Sequence, residues 1–145
     1  MLTEGTIRSR VNSVRVLIVE DDPNVRHLVD TVLTRLGHHT LLAASANEAS
    51  ANLIDFEFTP QSALLDVVLL GMSGIEFGRL LRRLFPPVHL VFMTGWPDAA
   101  ILQNLPRDTP LIRKPFTIST LLVALRLDHP LSGPTGKTDA VAPPG

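Results

Sequence analysis

The stretch Val16-Leu17-Ile18-Val19-Glu20-Asp21-Asp22-Pro23 (VLIVEDDP) runs four aliphatic residues into three consecutive acids and a proline. An unbroken β-branched and aliphatic run over residues 14–19 predicts a strand buried on both faces, as in a parallel sheet covered by helices. Adjacent carboxylates repel one another, so acids at the exit of such a strand need a reason. Asp22 fits the N-cap of a following helix, with Pro23 at its first position, where a missing N–H costs nothing. Glu20 and Asp21 are then left for chemistry at the strand's carboxyl end.

The same alternation continues outward from this point. Val25, Leu28, Val29, Val32, Leu33 and Leu36 keep helical spacing, and Gly37 stops the helix. His39–Ala43 reads as a weaker strand. Ser45 and Glu48 make a capping-box pattern for a helix to about Phe56, and Ser73 with Glu76 makes a second one. That second helix places Phe77, Leu80, Leu81, Leu84 and Phe85 on one face. Between the two lies a strand at Ser62–Asp66, again ending in an acid. Residues 88–93 form the next strand. Pro97 and Asp98 open a short helix to about Leu105, residues 110–113 form a last strand, and Thr117 caps a helix to about Leu127. Five β-α units with short connections predict an α/β fold, a doubly wound parallel sheet with helices on both faces and right-handed crossovers.

The chain of 145 residues is 45% hydrophobic and 5% aromatic, enough for one core and one domain. A formal net charge of −1 gives no global basic field, so neither nucleic acid nor an anionic membrane surface is expected as a partner. There are no cysteines, which removes disulfides and thiolate chemistry and suits a cytoplasmic setting. No apolar run reaches the roughly 18 residues of a membrane span. Residues 1–13 read as a flexible N-terminus, 14–127 as the domain, and 128–145, rich in Pro, Gly, Ser and Thr, as a disordered tail. The segment SGPTGKT at 132–138 fails as a phosphate-binding loop, because Leu131 stands where glycine is needed and no buried strand precedes it. The five histidines, His27, His38, His39, His89 and His129, show no metal-ligand spacing and read as surface or edge residues.

In open α/β sheets, ligands bind beyond the carboxyl ends of the strands. Glu20 and Asp21 follow the first strand, Asp66 ends the third, the fourth reaches Thr94, and Lys114 follows the fifth. Side by side, these groups would share one crevice. Buried unpaired carboxylates cost several kcal/mol each or take up protons. Lys114 offers one neutraliser, and a hard divalent cation, for which an all-oxygen site suits magnesium, offers the other. Asp66, fixed at a strand end, can act as a nucleophile toward a phosphoryl group. Such transfer needs positioning and charge neutralisation more than covalent help. The Thr94 hydroxyl can donate to a phosphoryl oxygen, and Gly95 leaves room for a donor.

These elements, LIVEDDP, LLDVVLLGMSG, VFMTGW and IRKPF in that order, resemble the receiver domain of bacterial two-component response regulators over roughly residues 14–127. The resemblance implies a flavodoxin-like (βα)5 fold with strand order 2-1-3-4-5, the doubly wound order that general fold rules describe for this class. It implies that Asp66 accepts a phosphoryl group from a histidine kinase or phosphotransfer protein. Magnesium would be held by Glu20, Asp21, Asp66 and the main-chain carbonyl of Val68, while Thr94 and Lys114 supply the hydroxyl and the lysine. It also implies a cis Lys114–Pro115 bond. Three departures stand out: Leu70 where proline is frequent, Ser73 where aspartate often precedes the glycine, and Leu111 where many relatives carry a switching aromatic. The chain has no tyrosine at all.

On this reading the protein is a phosphoacceptor signalling protein and not an enzyme, catalysing only its own phosphorylation and dephosphorylation. Eighteen residues after Leu127 leave no room for an output domain, so a stand-alone regulator is expected. It would work through contacts, homodimers included, on the face of the fourth helix, fifth strand and fifth helix, with Trp96, Ile101, Leu111 and Leu121. One alternative is an interaction module with a vestigial site. Another is a magnesium-dependent phosphohydrolase, which would want a second acid just after Asp66, where Val67 and Val68 stand.

Overall fold

The computed structural model describes residues 13–128. The expectations for the N-terminal stretch, the tail, the SGPTGKT segment and His129 fall on residues 1–12 and 129–145, outside that range. The strands are β1 (Arg15–Val19), β2 (His39–Ala43), β3 (Ser62–Asp66), β4 (His89–Thr94) and β5 (Leu111–Arg113). The helices are α1 (Pro23–Arg35), α2 (Ala46–Asp55), α3 (Gly74–Leu84), α4 (Ala99–Asn104) and α5 (Ile118–Ala124). All strands pair in parallel in the order β2-β1-β3-β4-β5, as expected.

Strand alternation splits the core in two. Leu17 and Val19 of β1, with Ala63 and Leu65 of β3 and Leu90 and Phe92 of β4, face α2 and α3. Val16, Ile18, Leu64, Val91 and Met93 face α1 and α5 on the other side. Burial on both faces explains why the three central strands read as continuous apolar runs.

The caps follow the sequence closely. Asp22 accepts the Asn24 N–H with Pro23 at the start of α1, Asp98 caps α4 and Thr117 caps α5. Ser73 and Glu76 form a complete capping box. At α2 only half of the box forms: Ser45 accepts the Glu48 N–H, while the Glu48 carboxylate takes the Ala44 N–H instead of that of Ser45.

Four expectations change. Helix α5 ends at Ala124 instead of near Leu127. Arg126 turns left-handed (φ 59°) and donates to the Val123 carbonyl, while Leu127 donates to that of Leu122. These two bonds close the helix by the motif that glycine usually supports, here without a glycine. Leu28 and Leu84 are exposed, not part of their helices' buried faces. His38 is 5% exposed, not a surface residue: its Nδ1 accepts the Val14 N–H at 3.0 Å, and burial, then His39, lowers its pKa. Leu121 is buried in the core at 1% exposure, so it lines no surface.

Candidate functional site

The central strands deliver their last residues to one end of the sheet. Glu20 follows β1 and extends its pairing through an N–H donated to Ala43. Asp66 closes β3, Thr94 closes β4, and Lys114 follows β5 with its N–H on the Thr94 carbonyl at 2.8 Å. Exposure is 0% for Glu20, 3% for Asp66 and 1% for Thr94. Two enclosed acids so close to each other require a counter-charge.

Lys114 supplies it. Its Nζ lies 2.9 Å from Asp66 Oδ2 and 3.0 Å from Glu20 Oε1. The other Glu20 oxygen accepts the Asp22 N–H at 3.0 Å, and the other Asp66 oxygen accepts the Val68 N–H at 3.0 Å. Both carboxylates are therefore held at both oxygens. Burial nevertheless pushes the Glu20 carboxyl up to about 7, against the pull of the Asp22 N–H and of Lys114, with the nearby Asp66 charge adding to the rise. For Lys114, burial works downward and the hydrogen bonds to Asp66 and Glu20 outweigh it, so its pKa is raised. One ammonium does not fully balance this pocket.

The exposed Asp21 completes an acidic group. Single carboxylate oxygens of Glu20, Asp21 and Asp66 all lie within 4.8 Å of one another. An all-oxygen donor set beside a carboxyl that burial drives toward neutrality fits a hard divalent cation, and magnesium by preference. The Thr94 hydroxyl oxygen accepts the Trp96 N–H at 3.2 Å, which leaves its own proton available to a ligand. Trp96 itself is 72% exposed. Lys114–Pro115 is cis, as expected.

Two contributors escaped the sequence reading. Gly74, at the start of α3, donates its N–H to the Val67 carbonyl, and a Cβ there would stand 1.9 Å from the Asp66 carbonyl oxygen. Only glycine lets α3 approach the backbone that carries Asp66 this closely. Arg26, on the first turns of α1, donates from Nη1 to the Glu20 carbonyl at 2.7 Å. Neither has a local signal: a glycine after a cap and an arginine on a helix are both commonplace until the facing strand is known.

A pocket of this construction at the switch point of a 2-1-3-4-5 sheet defines a class of phosphoryl-accepting domains, and comparison with known proteins agrees. The family model for the response regulator receiver domain matches residues 16–126, and the chain belongs to that family. It is 29% identical over 110 residues to the response regulator receiver protein CpdR of Brucella abortus, covering 74% of this chain and 90% of CpdR. It is 31% identical over 124 residues to the transcriptional regulatory protein TcrA of Mycobacterium tuberculosis, covering 84% of this chain but only 48% of TcrA. Among solved structures it resembles a CheY-like receiver domain protein from Methanospirillum hungatei JF-1, at TM-score 0.69 and 28% identity, covering 79% of this chain and 92% of that one. Receiver domains of two-component systems are phosphoacceptor signalling domains, not enzymes in the ordinary sense. They take their phosphoryl group from histidine kinases or phosphotransfer proteins and bind magnesium at the acidic site. Among the described residues no helix is long and apolar enough to cross a membrane.

Proposed function

We propose that Asp66 is the phosphoacceptor of a free-standing response regulator, loaded by a histidine kinase or a phosphotransfer protein in the cytoplasm. The observation that carries this reading is the placement of Asp66: 3% exposed, at a strand end, with a lysine on one oxygen and a backbone N–H on the other. Such a carboxylate cannot drift, and a fixed nucleophile is what in-line phosphoryl transfer asks of the protein. The near-full coverage of CpdR supports the free-standing reading.

Glu20, Asp21, Asp66 and the Val68 carbonyl would hold magnesium. When bound, the ion would neutralise charge on the phosphoryl oxygens. The chain's own part is separate. An Asp66 oxygen forms the new bond to phosphorus as the bond to the donor's histidine nitrogen breaks. Lys114, already on Asp66, follows the added charge, and Thr94 turns its free proton to a phosphoryl oxygen. Hydrolysis of the resulting acyl phosphate by water returns Asp66. The complete set of side chains favours this over a docking module with a vestigial site.

Output would pass through α4, β5 and α5, where Trp96, Leu102 and Val123 are exposed while Ile101 and Leu111 are half-buried. Leu111 cannot act as a switching tyrosine does, so rotation of Thr94 would be felt at Trp96, whose N–H it holds. This face would serve a homodimer or a downstream protein. Incubation with acetyl phosphate and magnesium should add one phosphoryl mass to the wild type and none to Asp66→Asn. An Asp66→Asn chain that gains it equally would overturn the assignment. Sedimentation with and without beryllofluoride tests the dimer, and Val123→Glu should abolish any association seen.

A further inference from the structure

We infer that Arg26 is a positioning residue for the magnesium site, acting through the Glu20–Asp21 peptide. This rests on the metal reading above and assigns a role to a residue outside the ligand set.

Four polar groups on Glu20 have identified partners. Its N–H donates to Ala43, its Oε2 accepts from Asp22 and its Oε1 from Lys114. The fourth is its carbonyl, and Arg26 Nη1 holds it at 2.7 Å. A peptide unit is planar, so fixing the carbonyl of Glu20 also fixes the direction in which the chain enters Asp21. That matters because Asp21 is exposed, unlike the other two acids, and no core packing aims it. It must still bring a carboxylate oxygen within 4.8 Å of those on Glu20 and Asp66. Arg26 is itself well anchored: it lies half-buried on α1, and its own N–H donates to the Asp22 carbonyl at 3.0 Å. The helix that Asp22 and Pro23 start thus reaches back to set the peptide before them.

The sign of the effect separates positioning from the alternatives. A guanidinium beside a cation site repels the incoming ion, so if Arg26 were only a neighbouring charge, removing it would tighten magnesium binding. If it were only a structural prop, removal would lower the thermal midpoint and leave the affinity alone. Groups that orient metal ligands typically cost 10–100-fold in affinity when lost.

The test is calorimetric titration of magnesium into the full chain and its Arg26→Met and Arg26→Lys variants, with thermal midpoints taken without the ion. The inference expects Arg26→Met to weaken magnesium binding by about tenfold, and Arg26→Lys, which keeps a donor, to recover part of that loss. Unchanged or tighter binding in Arg26→Met, with wild-type binding intact, overturns the inference and leaves the metal reading standing. A wild-type chain that takes up no magnesium overturns both. If Arg26→Met fails to fold, Arg26→Lys carries the test alone: a wild-type affinity in it counts against positioning by the guanidinium.

Discussion

Glu20 and Asp66 are enclosed, and each of their carboxylate oxygens has a partner, whereas α4, one loop away from Thr94, buries no residue at all. The pocket floor is held by three strand ends and a lysine. The rim helix is held by Asp98 at its start and by Ile101 and Leu105 half-packed on the core. Two α3 side chains complete its attachment: Arg79 donates to the Asn104 carbonyl and Arg82 to the Arg107 carbonyl. The difference teaches where rigidity is needed. Chemistry requires a nucleophile that stays in place, while a signal requires an element that can move for little free energy.

The largest break in that contrast should come from the floor. Lys114→Met leaves two buried carboxylates without their cation and should cost about 3 kcal/mol in urea unfolding at pH 8. The loss should shrink at pH 5.5, where Glu20 can take up a proton, and magnesium should restore part of it. A loss that is equal at both pH values would contradict the charge argument.

Glu20 provides the next test. Its folded pKa, about 7, lies above the ordinary 4.5, so its contribution to stability is complete below pH 4.5 and is lost as pH rises through 7. The span corresponds to on the order of 3 kcal/mol. His38 acts in the opposite sense: its pKa is lowered, so its contribution is present above 6.5 and is lost as pH falls. The difference between wild type and Glu20→Gln isolates the Glu20 share, and a flat difference from pH 4.5 to 8 would refute it. Lys114, raised from 10.5, stays charged across this window.

Gly74→Ala should follow, at about 2 kcal/mol, because the α3 start must retreat from the Asp66 carbonyl. Phosphoryl uptake should fall with it, since Asp66 moves too. The smallest effect belongs to the rim. Arg79→Ala with Arg82→Ala should lower global stability by no more than about 1 kcal/mol. Amide exchange in Ala99–Asn104 should nevertheless accelerate severalfold, with β3 unchanged. Equal acceleration in both would mean that floor and rim are one unit.

Most of this architecture was legible because its signals are local. Continuous apolar runs gave the central strands, and Asp22 with Pro23, Ser73 with Glu76, and Asp98 each mark a helix start within four residues. The clustering of Glu20, Asp66, Thr94 and Lys114 was legible for a related reason: each ends or directly follows a strand whose order a few topological rules constrain. What stayed hidden depends on distant partners. Gly74 matters because Asp66 comes near, Arg26 because the Glu20 carbonyl points at it, and His38 because the N–H of Val14 needs an acceptor. Helix α5 shows the limit of phase reading. Over seven residues, a turn of 100° per residue separates buried Leu121 and Leu122 from exposed Val123. The end at Arg126 carries no glycine to announce it.

The central claim is that the phosphoryl group sits on Asp66. Borohydride reduction after loading with acetyl phosphate and magnesium converts an aspartyl phosphate to homoserine, which peptide sequencing locates. The account predicts homoserine at position 66 and nowhere else. A loaded chain that yields it at another acid, Asp21 or Asp22 included, would contradict the account.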